Sequence, residues 1–177
     1  MVRYAIQKYN GDSTKVFATG SSSGGFMTNL MCAVYPELFN AGASFSGVAA
    51  GCFAGDRGFS PMRSNGTCAG GRIKKSPEQW GKVVKAMHLG YNGRRPRMAI
   101  WHGTADTLVT YANLGEALKE WSNVLGVTFT KNETNNPQAR YTKMVYGDGT
   151  KLLGYSAAGV GHMVPQHATE VLKFFGI

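Results

Sequence analysis

The 177-residue sequence predicts an α/β fold, a mostly parallel sheet flanked by helices. Two observations carry this. Short runs rich in β-branched and aromatic residues alternate with segments whose apolar residues repeat at helical spacing. A glycine- and serine-rich turn, Gly20-Ser21-Ser22-Ser23-Gly24, also sits between one such run and one such segment.

The elements follow in order. Val2, Ala5, Ile6 and Tyr9 mark one face of a helix that Asn10-Gly11 ends. Residues 15–19 (KVFAT) predict a strand, and Met27, Leu30, Met31 and Val34 a second helix that Pro36 stops. Residues 41–48 predict a buried strand. Residues 51–71 hold many glycines and little periodicity, which predicts a long loop. A helix is expected over 77–88, with Ser76 as cap and Pro77 in its first turn. Residues 97–101 predict a strand, and Leu114, Ala117, Leu118, Trp121 and Leu125 a helix. Two strands over 141–146 and 152–156 are joined by the hairpin-type turn Gly147-Asp148-Gly149. Ala168, Val171, Leu172 and Phe175 close the chain as a last helix, with His167 inside it. One domain over 1–177 is expected from this length.

Composition narrows the function classes. No run approaches the ~20 apolar residues of a membrane helix, so no membrane partner is expected. The net charge is +9, but the basic residues come in short pairs, Lys74-Lys75 and Arg94-Arg95. A solvated turn is the ordinary reading of Arg94, Arg95 and Arg97, and no nucleic-acid partner is expected. Cys52 and Cys68 bracket the long loop at a spacing a disulfide can span, and an odd count of three leaves at least one cysteine free. No metal-ligand spacing is present, and the chemistry inferred below needs no cofactor. Asn65 and Asn132 open glycosylation sequons in apparent loops, in keeping with secretion, whereas residues 1–5 do not read as a signal peptide.

The turn at Ser22 matches G-x-S-x-G, which alone is a weak pattern. Here a strand leads in and an amphipathic helix leads out, the context of the nucleophile elbow of α/β-hydrolases. The turn lifts the Ser22 hydroxyl above the sheet. Gly20 and Gly24 are expected to give the room that strand and helix need where they pass. The Ser23 N–H at the helix start can donate to an oxyanion. A serine hydroxyl needs a base. Among the four histidines, His162 fits best, in a glycine-rich loop between the last strand and the last helix. His88 and His167 are assigned to helices, and His102 follows a strand directly, four residues before Asp106. The acid lies between serine and histidine in this fold class. Asp56 comes too early and Asp148 belongs to the hairpin turn, which leaves Asp106 in the loop after the strand ending at Trp101.

Residues 2–53, 95–121 and 159–166 carry these motifs in order, and there the chain resembles fungal acetylxylan esterases and feruloyl esterases of carbohydrate esterase family 1. The resemblance implies an α/β-hydrolase fold and a secreted, monomeric enzyme that removes acetyl groups from xylan or ferulate from arabinoxylan. It implies Ser22, Asp106 and His162 as the triad and a Cys52–Cys68 disulfide. The family begins well before the position of Met1, with strands and a second oxyanion donor, so the chain corresponds to the carboxy-terminal portion. The strand at 15–19 is then expected to have an open edge. The family's tryptophan ahead of the Asn and Cys of the long loop is missing from residues 62–68, which leaves Trp80 and Trp101 as candidates for stacking on sugar. Core packing is the more usual role for both. Two other classes stay in view: an inactive carbohydrate-binding fragment, and a basic module binding acidic polymers.

Overall fold

The computed structural model describes residues 1–54 and 65–177. Asp56 and residues 62–64 of the long loop lie outside the described residues. The helices are α1 (Val2–Tyr9), α2 (Ser23–Val34), α3 (Gly66–Ala69), α4 (Pro77–Met87), α5 (Ala112–Leu125) and α6 (Ala168–Phe175). The strands are β1 (Phe17–Ser21), β2 (Ala41–Phe45), β3 (Arg97–Gly103), β4 (Phe129–Thr134), β5 (Tyr141–Tyr146) and β6 (Leu152–Ala157).

The strands form a mixed sheet in the order β1-β2-β3-β6-β5-β4. The first four of these run parallel, and β5 and β4 return antiparallel. A parallel neighbour requires a crossover, and α2, α4 and α5 lie in those crossovers. The glycine-rich turn at 147–149 lets β5 and β6 pair directly instead. β1 lies at one end of this strand order. β4 is the other edge and carries no sequence signal: five of its six residues are exposed, so it is held by backbone pairing to β5 rather than by burial.

Alternation along β3 builds both layers. Met98 and Ile100 face α2, α4 and α5, where they pack with Cys32, Val84, Leu118 and Trp121. Ala99 and Trp101 face α6, where Trp101 stacks on Tyr155 with ring centroids 3.5 Å apart, beside Phe45 and Phe175. Trp80 and Trp101 are 0% and 1% exposed. Neither offers a ring face to a sugar, and core packing is where the fold puts both. α4 begins with a capping box: Ser76 Oγ accepts the Gln79 N–H at 3.2 Å, and Gln79 Oε1 accepts the Ser76 N–H at 2.8 Å. α1 ends at Asn10 in the left-handed region and buries none of its residues.

Cys52 and Cys68 form a disulfide across the long loop, and Cys32 is free and buried, its thiol pushed up to about 12 by burial. Asn65 is not in open loop. Its Oδ1 accepts the N–H groups of Thr67 and Cys68 and caps α3. Asn132 sits exposed within β4 rather than in a loop. His167 immediately precedes α6, with no capping bond from its side chain, instead of lying within the helix. No helix among the described residues is long and apolar enough to cross a membrane.

Candidate active site

The parallel strands β1, β3 and β6 bring three loops together at their carboxyl ends. At the first, β1 turns sharply into α2 through Ser22, whose backbone is at φ 56°, ψ −119°. A non-glycine residue in such a conformation costs about 1–3 kcal/mol, and surrounding contacts must hold it. The Ser22 N–H donates to the Phe45 carbonyl at 2.9 Å, and the Ser22 carbonyl accepts the Phe26 N–H at 3.0 Å. A side chain at Gly20 would come within 2.5 Å of the Gly24 backbone, and one at Gly25 within 2.6 Å of the Phe45 carbonyl oxygen. One at Gly24 would meet open space. The steric demand therefore falls on Gly20 and Gly25. Gly24 contributes its backbone to the close approach, which corrects the expectation that its own missing side chain makes the room.

A buried polar chain fixes the elbow from below. Trp121 Nε1–H donates to Asn29 Oδ1 at 3.0 Å, and Asn29 Nδ2 donates to Ser44 Oγ at 3.2 Å and the Val48 carbonyl at 2.8 Å. Ser44 Oγ–H in turn donates to the Gly25 carbonyl at 3.0 Å. Asn29 and Ser44 are fully buried. Leaving any one of these groups unpaired in so dry a place costs on the order of 1–3 kcal/mol.

The second loop follows β3 and presents Asp106. Its Oδ1 accepts the N–H groups of Leu108 at 3.0 Å and Val109 at 2.9 Å. Its Oδ2 lies 2.9 Å from His162 Nδ1 and 3.2 Å from His102 Nε2. His102 Nε2–H also donates to the Val109 carbonyl at 2.7 Å. Burial, the largest influence on this ring, holds its titration below the ordinary histidine range, so His102 is a neutral donor. The carboxylate of Asp106 is wholly buried and oriented by N–H groups from both sides.

The third loop follows β6 and presents His162. Its Nε2 accepts from the Ser22 hydroxyl at 2.7 Å, while Nδ1–H donates to Asp106. Gly103 makes this approach possible: a side chain there would lie 2.2 Å from the Val160 carbonyl oxygen. The two loops are tied by Ala105 N–H to the Val160 carbonyl at 2.9 Å and by Gly159 N–H to Thr104 Oγ at 2.8 Å. Val164 N–H reaches Ser46 Oγ at 3.4 Å, which links the histidine loop to the end of β2.

The structure thus brings Ser22, His162 and Asp106 into one hydrogen-bonded line, with the imidazole 16% exposed. Such a line can remove a proton from the serine hydroxyl as it attacks an electrophile. Ser23 is the first residue of α2, and its N–H donates to no acceptor among the described residues. Leu108 and Met163, each 68% exposed, follow Asp106 and His162 closely in sequence, and Met163 Sδ lies 4.0 Å from Ser21 Oγ.

A family model for the prolyl oligopeptidase family matches residues 1–130. The chain belongs to the prolyl oligopeptidase family. Within this broad family its similarity to fungal esterases runs along the whole chain. It is 54% identical over 177 residues to feruloyl esterase B of Neurospora crassa, covering 100% of this chain and 60% of that protein. It is 46% identical over 179 residues to acetylxylan esterase A of Aspergillus awamori, covering 99% of this chain and 58% of that protein. The solved acetyl xylan esterase from Aspergillus awamori superposes with a TM-score of 0.92 at 45% identity, covering 99% of this chain and 64% of that one. A PHB depolymerase from Penicillium funiculosum, 18% identical with a TM-score of 0.58 over 89% of this chain and 42% of that one, shares the fold. The chain thus spans about 60% of the length of the two curated esterases.

Three parts of this site were not assigned from sequence. The sequence gives His102 no role as base, and the structure makes it a partner of Asp106. Its position at the end of a strand, four residues before Asp106, was the available signal. Gly103, in the same motif, is the last residue of β3. Asn29 and Ser44 sit among apolar residues and carry no local signal.

Proposed function

We propose that the protein is a serine carboxylesterase acting on acylated xylan, with Ser22 as nucleophile, His162 as base and Asp106 as its orienting acid. The single observation supporting this is the hydrogen-bonded line from Ser22 Oγ to His162 at 2.7 Å and on to Asp106 at 2.9 Å. As Ser22 attacks the ester carbonyl, His162 Nε2 takes its proton. The Ser23 N–H, at the positive end of α2, supports the tetrahedral oxyanion, a type of contact worth ~10²–10³ in rate. His162 then protonates the departing sugar alcohol. A water, activated by the same nitrogen, releases the acid and restores Ser22.

The acyl group is acetate, with ferulate as the alternative. The acetate reading is supported by the acetyl xylan esterase from Aspergillus awamori, whose structure superposes so closely. The ferulate reading is supported by the higher identity to the Neurospora crassa feruloyl esterase B. We place the enzyme outside the cell, a location supported by the Cys52–Cys68 disulfide.

Hydrolysis of 4-nitrophenyl acetate by the purified protein, with Ser22→Ala as control, tests the reaction. Acetylated xylan against methyl ferulate then separates the acyl groups. Serine-dependent turnover is expected. A folded protein whose turnover is absent, or survives Ser22→Ala, overturns the proposal.

A further inference from the structure

Positive charge gathers at the end of the sheet opposite Ser22. β3 runs from Arg97 to Gly103, which adjoins the site, and its seven residues put Arg97 roughly 20 Å away. Helices that return antiparallel to the strands finish at this far end, so their last carbonyls collect there as partial negative charge. Two arginines answer them. Arg95 Nη1 donates to the Ala33 carbonyl near the end of α2 at 3.3 Å, and Arg97 Nη2 donates to the Phe175 carbonyl at the end of α6 at 3.1 Å. Helix capping therefore accounts for the place of these two guanidiniums, but not for the charge around them.

Three adjoining depressions meet at this end, the third running from Arg97 along the α6 face of the sheet to Lys143, which pairs opposite Tyr155. The central one, about 390 Å³, is lined by Arg94, Arg95, Arg97, Thr150 and Lys151. A second, about 600 Å³, shares Arg95 with it and adds Lys82 and Lys85 of α4. A third, about 250 Å³, shares Arg97 and Thr150 and adds Lys143 and Lys173. Eight of the chain's 19 lysines and arginines thus line one trough, with Glu170 in its lining and two described carboxylates beside it, Asp148 on the Thr150 hydroxyl at 2.6 Å and Glu133 near Lys143. Among the described residues only Lys143 of these eight has an ion pair, 3.8 Å from Glu133. Arg94 Nη1 leans on the neutral Asn40 Oδ1 at 3.0 Å. Burial pulls the Arg95 and Arg97 guanidiniums below the usual arginine range, and Arg94 adds to this at Arg97. Like charges so crowded raise a local potential that an anion relieves.

The lining also selects among polyanions. The aromatic rings here are already covered: Arg95 lies over Tyr91 at 5.0 Å and Arg97 over Phe174 at 5.4 Å. Single-stranded nucleic acids are gripped by open aromatic platforms on which bases stack. Asn92 instead offers a neutral hydrogen bond beside the charges, which suits a hydroxyl-rich chain with spaced carboxylates.

We propose that this trough binds a uronate-bearing polysaccharide, with its carboxylates on Arg94, Lys151 and their neighbours. The choice of a polysaccharide rests on the esterase reading above, whereas the need for a polyanion rests on the trough alone. Such a site would hold a decorated polymer to the protein without occupying the loops around Ser22.

The test is binding, measured by calorimetry and affinity electrophoresis with glucuronoxylan and with the same polymer after reduction of its carboxyl groups. Binding is expected to the carboxylated polymer, to fade between about 50 mM and about 500 mM salt, and to be lost on carboxyl reduction. Arg94→Glu with Lys151→Glu, both exposed, should weaken it roughly tenfold, with 4-nitrophenyl acetate hydrolysis and melting temperature unchanged. Equal affinity for the two polymers, or full affinity in the double variant, overturns the proposal. So does displacement by duplex DNA or inorganic phosphate at charge concentrations where oligouronate fails. Because hydrolysis is not the readout, Ser22→Ala protein serves equally: its failure to bind overturns the trough, whatever the hydrolysis assay shows.

Discussion

Gly103→Ala should disable the site without touching any of the three residues in its hydrogen-bonded line. The added methyl would lie 2.2 Å from the Val160 carbonyl oxygen and 2.7 Å from that of Gly161, both backbone atoms, whereas ordinary contact begins at 3.4 Å. The histidine loop must therefore retreat by about 1 Å, a displacement that costs on the order of 10²-fold in rate when it misplaces a reacting group. The same shift stretches the Ala105 to Val160 bond of 2.9 Å and moves His162 away from Ser22, now at 2.7 Å. Overpacking of this kind destabilises by about 1–3 kcal/mol, which a well-folded domain survives. The assay is kcat and KM on 4-nitrophenyl acetate, with thermal melting in parallel. Gly161→Ala is the control, because a side chain there meets nothing within 4 Å and the residue is not in the left-handed region. The expected result is a fall of about 100-fold in kcat for Gly103→Ala, and near-normal kcat for Gly161→Ala. A Gly103→Ala protein with normal kcat would refute the role given to this close approach.

Glu120 is fully buried, with one oxygen accepting the Ala50 N–H at 2.9 Å and the other unpaired among the described residues. Burial raises its titration well above the ordinary value of 4.5. Its favourable contribution is therefore complete below 4.5 and is lost as pH climbs through the raised folded-state value. Glu120→Gln should flatten the fall in melting temperature as pH rises above 4.5, and an unchanged pH profile would contradict this. Reducing or replacing the Cys52–Cys68 pair, 16 residues apart, should cost roughly 3 kcal/mol in urea denaturation; a loss below about 1 kcal/mol would contradict this. Met163→Ala should lower kcat/KM for methyl ferulate by about 3–10-fold, and for 4-nitrophenyl acetate by less, if this exposed side chain touches the acyl group. Equal losses on both substrates would remove it from the acyl-binding surface.

Much of the fold was legible because burial writes a period into the chain. Met27, Leu30, Met31 and Val34 marked α2, and Leu114 through Leu125 marked α5, because one face of each helix meets the sheet. β4 was invisible for the opposite reason. Phe129–Thr134 buries almost nothing, and its pairing to β5 uses backbone groups that every residue has. The same logic divides the site. Ser22 was found because its turn has a distinctive composition, and Asp106 and His162 because chain order and loop position admit few choices. Asn29 and Ser44 could not be found, since a buried amide is recognisable only once Trp121, 92 residues away, is seen beside it. His102 shows the cost of reading one residue at a time: its nitrogen serves the acid and Val109 together, a role that exists only in three dimensions. The tryptophans mislead in the other direction. Trp80 and Trp101 are the aromatic residues a sugar-binding reading reaches for, and both are sealed in the core.

The central claim is that the fold activates Ser22, and covalent labelling tests it most directly. A 4-nitrophenyl phosphonate ester captures only a serine whose base is in place. Intact-mass and peptide analysis should show one phosphonyl adduct per chain, on Ser22, that is abolished by His162→Ala and by Ser22→Ala. Labelling on another serine, or none in a folded protein, would contradict the account.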